Sequence, residues 1–413
     1  MTTAPTDRDG LGARLLLVLA LLSATAPIAT DLYLPSFPEV QSSLHTSTTM
    51  VQLTLTSFLV GVGLGQVAWG PISDRYGRRR PLIIGSAIAV VAGVVVVVAP
   101  TIEVLIAARF VQAVAAAAGM VIARAVIADL LRGFAGARSM TLMMTIQSLA
   151  PVVAPIVGGI LAGHISWRWI LGIILAATVA QFFGAVTTVP ETLPADKRKP
   201  TLGVGDLLGR FTHPTFLAYV LTQAFAFGAL MAYISSSSFV YQSVIGTSST
   251  VYGLAFAVNA LGMTAAGLIS ARLTRRHIHP ARVAGYALPV MLVASAGVAL
   301  TAMFAPPVLV PIPLFIAVVC LGFVMGNSAA LAMEHTRDAA GAGSAVLGGT
   351  MFLIGGLLSP LGGLAGDTTA VPMGLVMCGS ALMATLCFVV ARRLVARHPE
   401  SEAAFSTSAV NSQ

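Results

Sequence analysis

The sequence predicts an all-α polytopic membrane protein, with twelve transmembrane helices in two parallel, pseudo-repeated halves of six. Three observations carry that reading. The first is composition. The chain has 413 residues, 57% hydrophobic and only 9% charged, with a mean hydropathy of +0.90. Soluble domains are about a quarter charged, so this chain has too few charges to coat a soluble surface. Apolar runs of about twenty residues, long enough to cross a bilayer as helices, recur from end to end. Strand-period alternation, which would suggest an outer-membrane barrel, is absent.

The second observation is where the positive charge lies. The net charge is +8, yet the basic residues form no nucleic-acid patch. They fall in the short gaps between apolar runs. With both termini in the cytoplasm and the spans alternating, the cytoplasmic segments hold all 23 Lys and Arg residues except Arg109, Arg124 and Arg168. That asymmetry matches the positive-inside rule and fits an even number of crossings. The third observation is an internal repeat. Ile72-Ser73-Asp74-Arg75 is echoed by Ile269-Ser270-Ala271-Arg272, Ala135-Gly136-Ala137 by Ala340-Gly341-Ala342, and Pro155 and Gly158 by Pro360 and Gly363. Six spans separate the copies, so both halves have the same orientation. Such halves place a substrate site between them near the midplane.

In chain order the spans are expected near 14–36, 50–72, 82–100, 103–128, 139–162, 167–189, 215–238, 250–271, 282–304, 310–333, 342–366 and 371–391. The first follows Arg14 and lacks a small-residue cleavage site, so it reads as an uncleaved helix. The second ends in the charged stretch Gly70–Pro81. Residues 1–190 form the first half. Residues 191–214, polar, preceded by Pro190 and punctuated by Pro194 and Pro200, read as a cytoplasmic linker. Residues 215–391 form the second half and 392–413 a polar cytoplasmic tail. Cys320, Cys378 and Cys387 lie inside apolar runs without metal-ligand spacing and read as core residues.

Between the second and third spans, Gly70-Pro71-Ile72-Ser73-Asp74-Arg75-Tyr76-Gly77-Arg78-Arg79 resembles the signature loop of the major facilitator superfamily. Other stretches narrow the likeness. They include Thr30-Asp31-Leu32-Tyr33-Leu34-Pro35, Arg109-Phe110-Val111-Gln112, Arg124 to Asp129, Ala232-Tyr233-Ile234-Ser235 and Tyr252 to Ala260. Together they resemble the bicyclomycin-resistance group of drug/proton antiporters, over nearly the whole chain. The resemblance implies the major facilitator fold and proton-driven efflux of drugs or antibiotics across the bacterial inner membrane. It also implies a gating cluster of Gly70, Asp74, Arg75, Gly77, Arg78, Arg79, Arg124 and Asp129 that latches the outward-open state. From the residues alone, Gly70 and Gly77 let backbones approach closely. Asp74 reads as buried and suited to cap a neighbouring helix, and Arg78 is placed to pair with Asp129. Topology alone accounts for Arg79 and Arg80. Ala271 replaces the aspartate in the second-half echo, which keeps only the topological role.

Ionisable groups inside a span are functional candidates by default. Asp31 and Arg109 lie at similar depth in the first and fourth spans, with Gln112 one turn further on. Burial and a nearby arginine pull a carboxyl's proton affinity in opposite directions. Movement of Arg109 relative to Asp31 would therefore bind or release a proton, and the resemblance implies that coupling role. A static ion pair is the plainer alternative. Glu334 and His335 are expected at the solvated mouth of the tenth span. Pro151, Pro155, Gly158 and Gly159 bend and thin the fifth span, and resemble the antiporter motif of exporters with Ala154 in place of a glycine.

Tyr33, Gln223, Phe227, Tyr233, Asn259, Met325 and Asn327 are the candidate cavity residues, a set suited to a neutral or weakly polar, partly apolar ligand. The expected partners are a small drug-like molecule, protons and the bilayer, with no nucleic acid, no metal and no cofactor beyond the proton gradient, and the chain is expected to act as a monomer. A transporter of a native sugar or amino acid is the alternative. A membrane enzyme is disfavoured, since no catalytic dyad is evident, and ATP-driven pumping is disfavoured because no phosphate-binding loop is present.

Overall fold

A computed structural model of the protein describes residues 12–131, 133–198, 214–335 and 340–397. Its described residues contain eleven helices long and apolar enough to cross a membrane, plus one bent pair that makes a twelfth. The bent pair is the first span. Helix α1 (Ala13–Ser23) and helix α2 (Thr25–Asp31) meet at Ala24, where the expectation was one continuous helix. Pro27 has no N–H to offer the carbonyl four residues back, so the ladder opens there. The chain turns by 49°, continues through a 3₁₀ turn (Leu34–Ser36), and ends in α3 (Phe37–Ser43).

The remaining spans of the first half are α4 (Thr48–Tyr76), α5 (Arg79–Val98), α6 (Ile102–Leu130), α7 (Gly133–Ala162) and α8 (Trp167–Thr188). Ser47, Thr101 and Ser166 cap α4, α6 and α8 by accepting a backbone N–H. The later spans are α9 (Pro214–Phe239), α10 (Ser249–Arg275), α11 (Pro280–Phe304), α12 (Pro311–Glu334), α13 (Ala340–Leu358) and α14 (Val371–Arg397). Helix α9 runs into a π-helical turn at Val240–Val244. Helix α13 tightens to 3₁₀ at Ser359–Gly363, around Pro360.

One boundary differs from expectation. Helix α14 runs on to Arg397, since Leu394 and Val395 extend its apolar face beyond the expected start of the tail at 392. Within the linker, Ala195–Lys197 forms a 3₁₀ turn. Residues 199–213 of the linker and 398–413 of the tail lie outside the described residues.

Helices α1 to α8 pack mainly among themselves, with α4 and α5 on α6, α5 on α8, and α1 on α6 and α7. Helices α9 to α14 do likewise, with α9 on α12, α13 and α14, and α11 on α12 and α14. The two sets meet along α4 with α13 and α7 with α10. Their described side-chain hydrogen bonds to each other gather at the end remote from the arginine loops. There Thr49 donates to the Gly363 carbonyl at 3.0 Å, Gln52 to the Ser235 carbonyl at 3.3 Å, Gln242 to the Pro35 carbonyl at 3.0 Å, and Ser249 to the Gly159 carbonyl at 2.9 Å. Glycine makes this seal close. A Cβ on Gly159 would lie 2.5 Å from the Ser249 carbonyl oxygen.

Candidate functional site

A cavity of about 210 Å³ lies between the two sets. Its walls are mostly aromatic, methionine and aliphatic, with Phe227, Met231, Phe256, Met263 and Phe352 from the later helices and Pro27, Met120 and Pro151 from the earlier ones. Its ionisable or hydroxyl-bearing lining residues are Thr30, Asp31 and Tyr233. The break near Pro27 aims α2 so that Thr30 and Asp31 face this space. Asp31 is 5% exposed and accepts a hydrogen bond from Thr30 Oγ1 at 3.0 Å. Among the described residues no cation pairs with it. A buried ionised carboxylate is costly unless it is paired, so Asp31 is the chemically conspicuous group of the chamber.

Arg109 is fully buried, and the plainer alternative of a static ion pair with Asp31 is not formed among the described residues. Its Nη2 donates to the Ala29 carbonyl at 3.0 Å and its Nη1 to Gln112 Oε1 at 3.2 Å. The guanidinium carbon lies 4.3 Å from the Phe58 ring centroid and 5.3 Å from that of Tyr33. Stacking and carbonyl acceptance allow a guanidinium to stay inside without a carboxylate. Arg109 thus grips the backbone of α2 two residues before Asp31, and stands behind the chamber wall.

Of the seven expected cavity residues, Phe227 and Tyr233 line the chamber. Asn259 stands behind Tyr233 and donates to its hydroxyl at 3.0 Å, and Tyr233 stacks on Phe256 with centroids 5.5 Å apart. The other four do not line it. Tyr33 is turned under Arg109 and against Phe37. Gln223 donates to the Met351 sulfur. Asn327 ties α12 to Ser270 of α10, and Met325 packs against the apolar core. Residue type at a helical position does not say which way that position faces, and this is why Met120, Met231 and Met263 were missed.

The arginine loop is built as an ion-pair lattice. Arg78 Nη1 bonds Asp74 Oδ1 at 2.6 Å and Ser73 Oγ at 2.8 Å, while Nε bonds Asp129 Oδ2 at 2.9 Å. The Arg78–Asp129 pair is the one expected from sequence. Asp74 differs from expectation: its side chain is 49% exposed, and it pairs with Arg78, the residue just before α5, instead of capping another helix. Gly70 also differs, since a Cβ there would meet nothing within 4 Å. Gly77 is required, with φ +88° and ψ 171°, a region open essentially to glycine alone. Arg79 donates to the Val186 and Val189 carbonyls and so closes the end of α8. Arg75 lies over Tyr76, and Arg124 donates to the Met120 carbonyl of its own helix.

Sequence reasoning assigned Glu191 and Thr192 to a plain linker, yet both belong to the lattice. Glu191 accepts the backbone N–H of Arg78 at 2.8 Å and of Arg79 at 3.3 Å, and Thr192 Oγ1 donates to Asp129 at 2.9 Å. Burial works against the Glu191 charge. The N–H groups of Arg78, Leu193 and Arg79, with the nearby Arg198 guanidinium, outweigh it and hold this carboxyl below its ordinary range. The available signal was a lone acid directly after the helix-ending Pro190.

In α7, Pro151 faces the chamber and Pro155 lies at the crossing with Gly253 of α10. Gly158 lies against the Leu32 carbonyl and Gly159 against Ser249. This thinned helix therefore touches both the Asp31 segment and the second half.

Comparison with known proteins agrees with this architecture. The family model described as Major Facilitator Superfamily matches residues 19–360. An uncharacterized MFS-type transporter, YdgK of Bacillus subtilis (strain 168), is 34% identical over 93% of this chain and 96% of its own length. A bicyclomycin resistance protein homolog of Haemophilus influenzae is 28% identical over 92% of this chain and 97% of its own. Among solved structures, a D-xylose-proton symporter superimposes with a TM-score of 0.74 at 13% identity, over 92% of this chain and 96% of its own.

Proposed function

We propose that this chain, which belongs to the Major Facilitator Superfamily, exports small drug-like molecules across the bacterial inner membrane in exchange for protons. The observation that carries the proposal is the lone Asp31 carboxyl facing an apolar chamber between the two sets of helices. An acid so placed binds either a proton or a cargo molecule, and competition between them couples the two fluxes. The full-length relative named for bicyclomycin resistance supports export of antibiotics as the cargo class. Methionine and aromatic walls suit partly apolar molecules of varied shape.

The arginine-rich end is the cytoplasmic one by the positive-inside rule. The seal formed by Gln52, Gln242 and Ser249 then lies on the outer side, which makes this arrangement the loading half of the cycle. Arg109 and Gln112 set the position of the Asp31 segment through the Ala29 carbonyl. The lattice of Arg78, Asp74 and Asp129 is formed within the first half even in this outside-sealed arrangement, so its proposed role is to set the cytoplasmic gate and not to latch the outward-open state alone.

A susceptibility panel in an efflux-deficient bacterium tests the proposal. Expression should raise resistance to at least one partly apolar antibiotic, and a protonophore should remove that gain. No gain for any compound, together with uphill movement of a sugar or amino acid in everted vesicles, would replace drug export with metabolite transport.

A further inference from the structure

A second cavity, of about 350 Å³, opens at the arginine-rich end where α11 begins and α14 ends. Among the described residues it is lined by His277, His279, Ala281, Arg282 and Arg392. The loop entering α11 is shaped to present these groups. His277 sits at φ +61°, a left-handed conformation that turns the chain sharply into the helix. His279 is the N-cap, and its Nδ1 accepts the Ala281 N–H at 3.2 Å. That bond leaves the proton of the neutral ring on Nε2, as a donor. Pro280 occupies the first helical position, so the start of α11 adds its partial positive charge to the same spot.

What lies beside this basic mouth distinguishes it from an arginine patch that merely sets topology. Moving along α11 from Arg282, the residues on the same face are Tyr286, Val290 and Val293, which are 79%, 49% and 72% exposed. A Cβ on Gly285 would lie 3.4 Å from the Phe388 ring, so α11 and α14 are in contact immediately beneath the cavity. Arg282 at the mouth therefore begins a bare apolar track, whose first residue, Tyr286, is of the type that favours the headgroup layer. A free anion needs no such track, and an acyl chain does.

The geometry points to a binding site for one anionic phospholipid, with its phosphate held by Arg282, His279 Nε2 and His277 and one acyl chain lying along Tyr286, Val290 and Val293. Basic pockets between helices at this depth are suited to anionic headgroups. The site is distant in sequence and position from the chamber that holds Asp31, and nothing in it depends on which cargo the protein moves.

Native mass spectrometry of the full chain, released from nanodiscs of phosphatidylcholine doped with phosphatidylglycerol, reads this directly. The wild type should retain one phosphatidylglycerol in preference to phosphatidylcholine. Arg282→Gln should lower that retention about tenfold, the loss expected for one charge-assisted contact. Arg276→Gln, which removes the same charge from the same loop outside the cavity, should leave retention unchanged. Equal losses from the two variants would reduce the effect to bulk surface charge and overturn the site. So would displacement of the bound lipid by millimolar inorganic phosphate, which would make it a free-anion site. Thermal unfolding of the wild type supplies a check free of mutation, since phosphatidylglycerol should raise the midpoint above that in phosphatidylcholine of the same chains. No difference between those lipids would contradict the proposal.

Discussion

The two halves repeat one architecture and divide its work. The first half carries the charged machinery, with Asp31 in the chamber, Arg109 behind it, and Arg78 bound to Asp74 and Asp129 at the loop. The second half supplies most of the chamber wall, through Phe227, Met231, Tyr233, Phe256, Met263 and Phe352. The two copies of the arginine loop show the division most clearly. In the first, an aspartate and an arginine one helical turn apart knit α4 to α6 and to the segment after α8. In the second, Ala271 stands where the aspartate would be, Ser270 ties inward to Asn327, and His279 caps the next helix. Arginines are present in both copies, as the positive-inside rule expects of two loops on one side of the membrane. The carboxylate is present only in the first copy, where it binds Arg78. Sequence repetition therefore preserves the scaffold, while chemistry is kept in one copy.

Substitutions can break this contrast. The largest effect is expected at Asp31. Asp31→Asn should reduce antibiotic resistance to the level of cells without the protein, with membrane insertion unchanged by immunoblot, because no second acid among the described residues lines the chamber. Next comes the gate. Asp74→Asn should slow transport about fivefold and leave equilibrium cargo binding unchanged, since it removes one of two anionic partners of Arg78 from a half-exposed position. The partner substitution Ala271→Asp should change the transport rate little. A gain or loss as large as that of Asp74→Asn would mean that the second loop gates as well. At the wall, Phe256→Ala should weaken cargo binding by about 1 kcal/mol, roughly fivefold, as read by fluorescence or calorimetric titration.

The smallest effect concerns acid. Glu191 is held below its ordinary carboxyl range, so it stabilises the folded loop above its unfolded pKa, and that contribution is lost as the pH falls through the folded value. The segment after α8 should therefore become more accessible to hydrogen exchange on the acid side of the ordinary carboxylate range. Glu191→Gln should show no such pH step.

Much of the fold was legible because hydropathy and charge are local signals. Eleven spans, and a twelfth formed by a bent pair, follow from the apolar runs alone. The Arg78–Asp129 pair was legible because a loop motif and a helix end fix both partners near one surface. What sequence could not give is direction. Met120, Met231 and Met263 read like any lipid-facing methionine until three helices bring them around one space. Arg109 is held by a carbonyl, an amide and two rings and not by Asp31, and such partners carry no sequence signature. Pro27 could have signalled the break in the first span, but its effect was masked by the unbroken apolar run around it.

The central claim is that a single carboxyl exchanges a proton for cargo across an apolar chamber. Proteoliposomes holding the purified protein and subjected to a pH jump test it most directly. The wild type should concentrate a cargo antibiotic against its gradient, and Asp31→Asn should only let it equilibrate. If the Asp31→Asn protein still builds a gradient when driven by pH alone, proton coupling resides elsewhere and this account of the chamber is wrong.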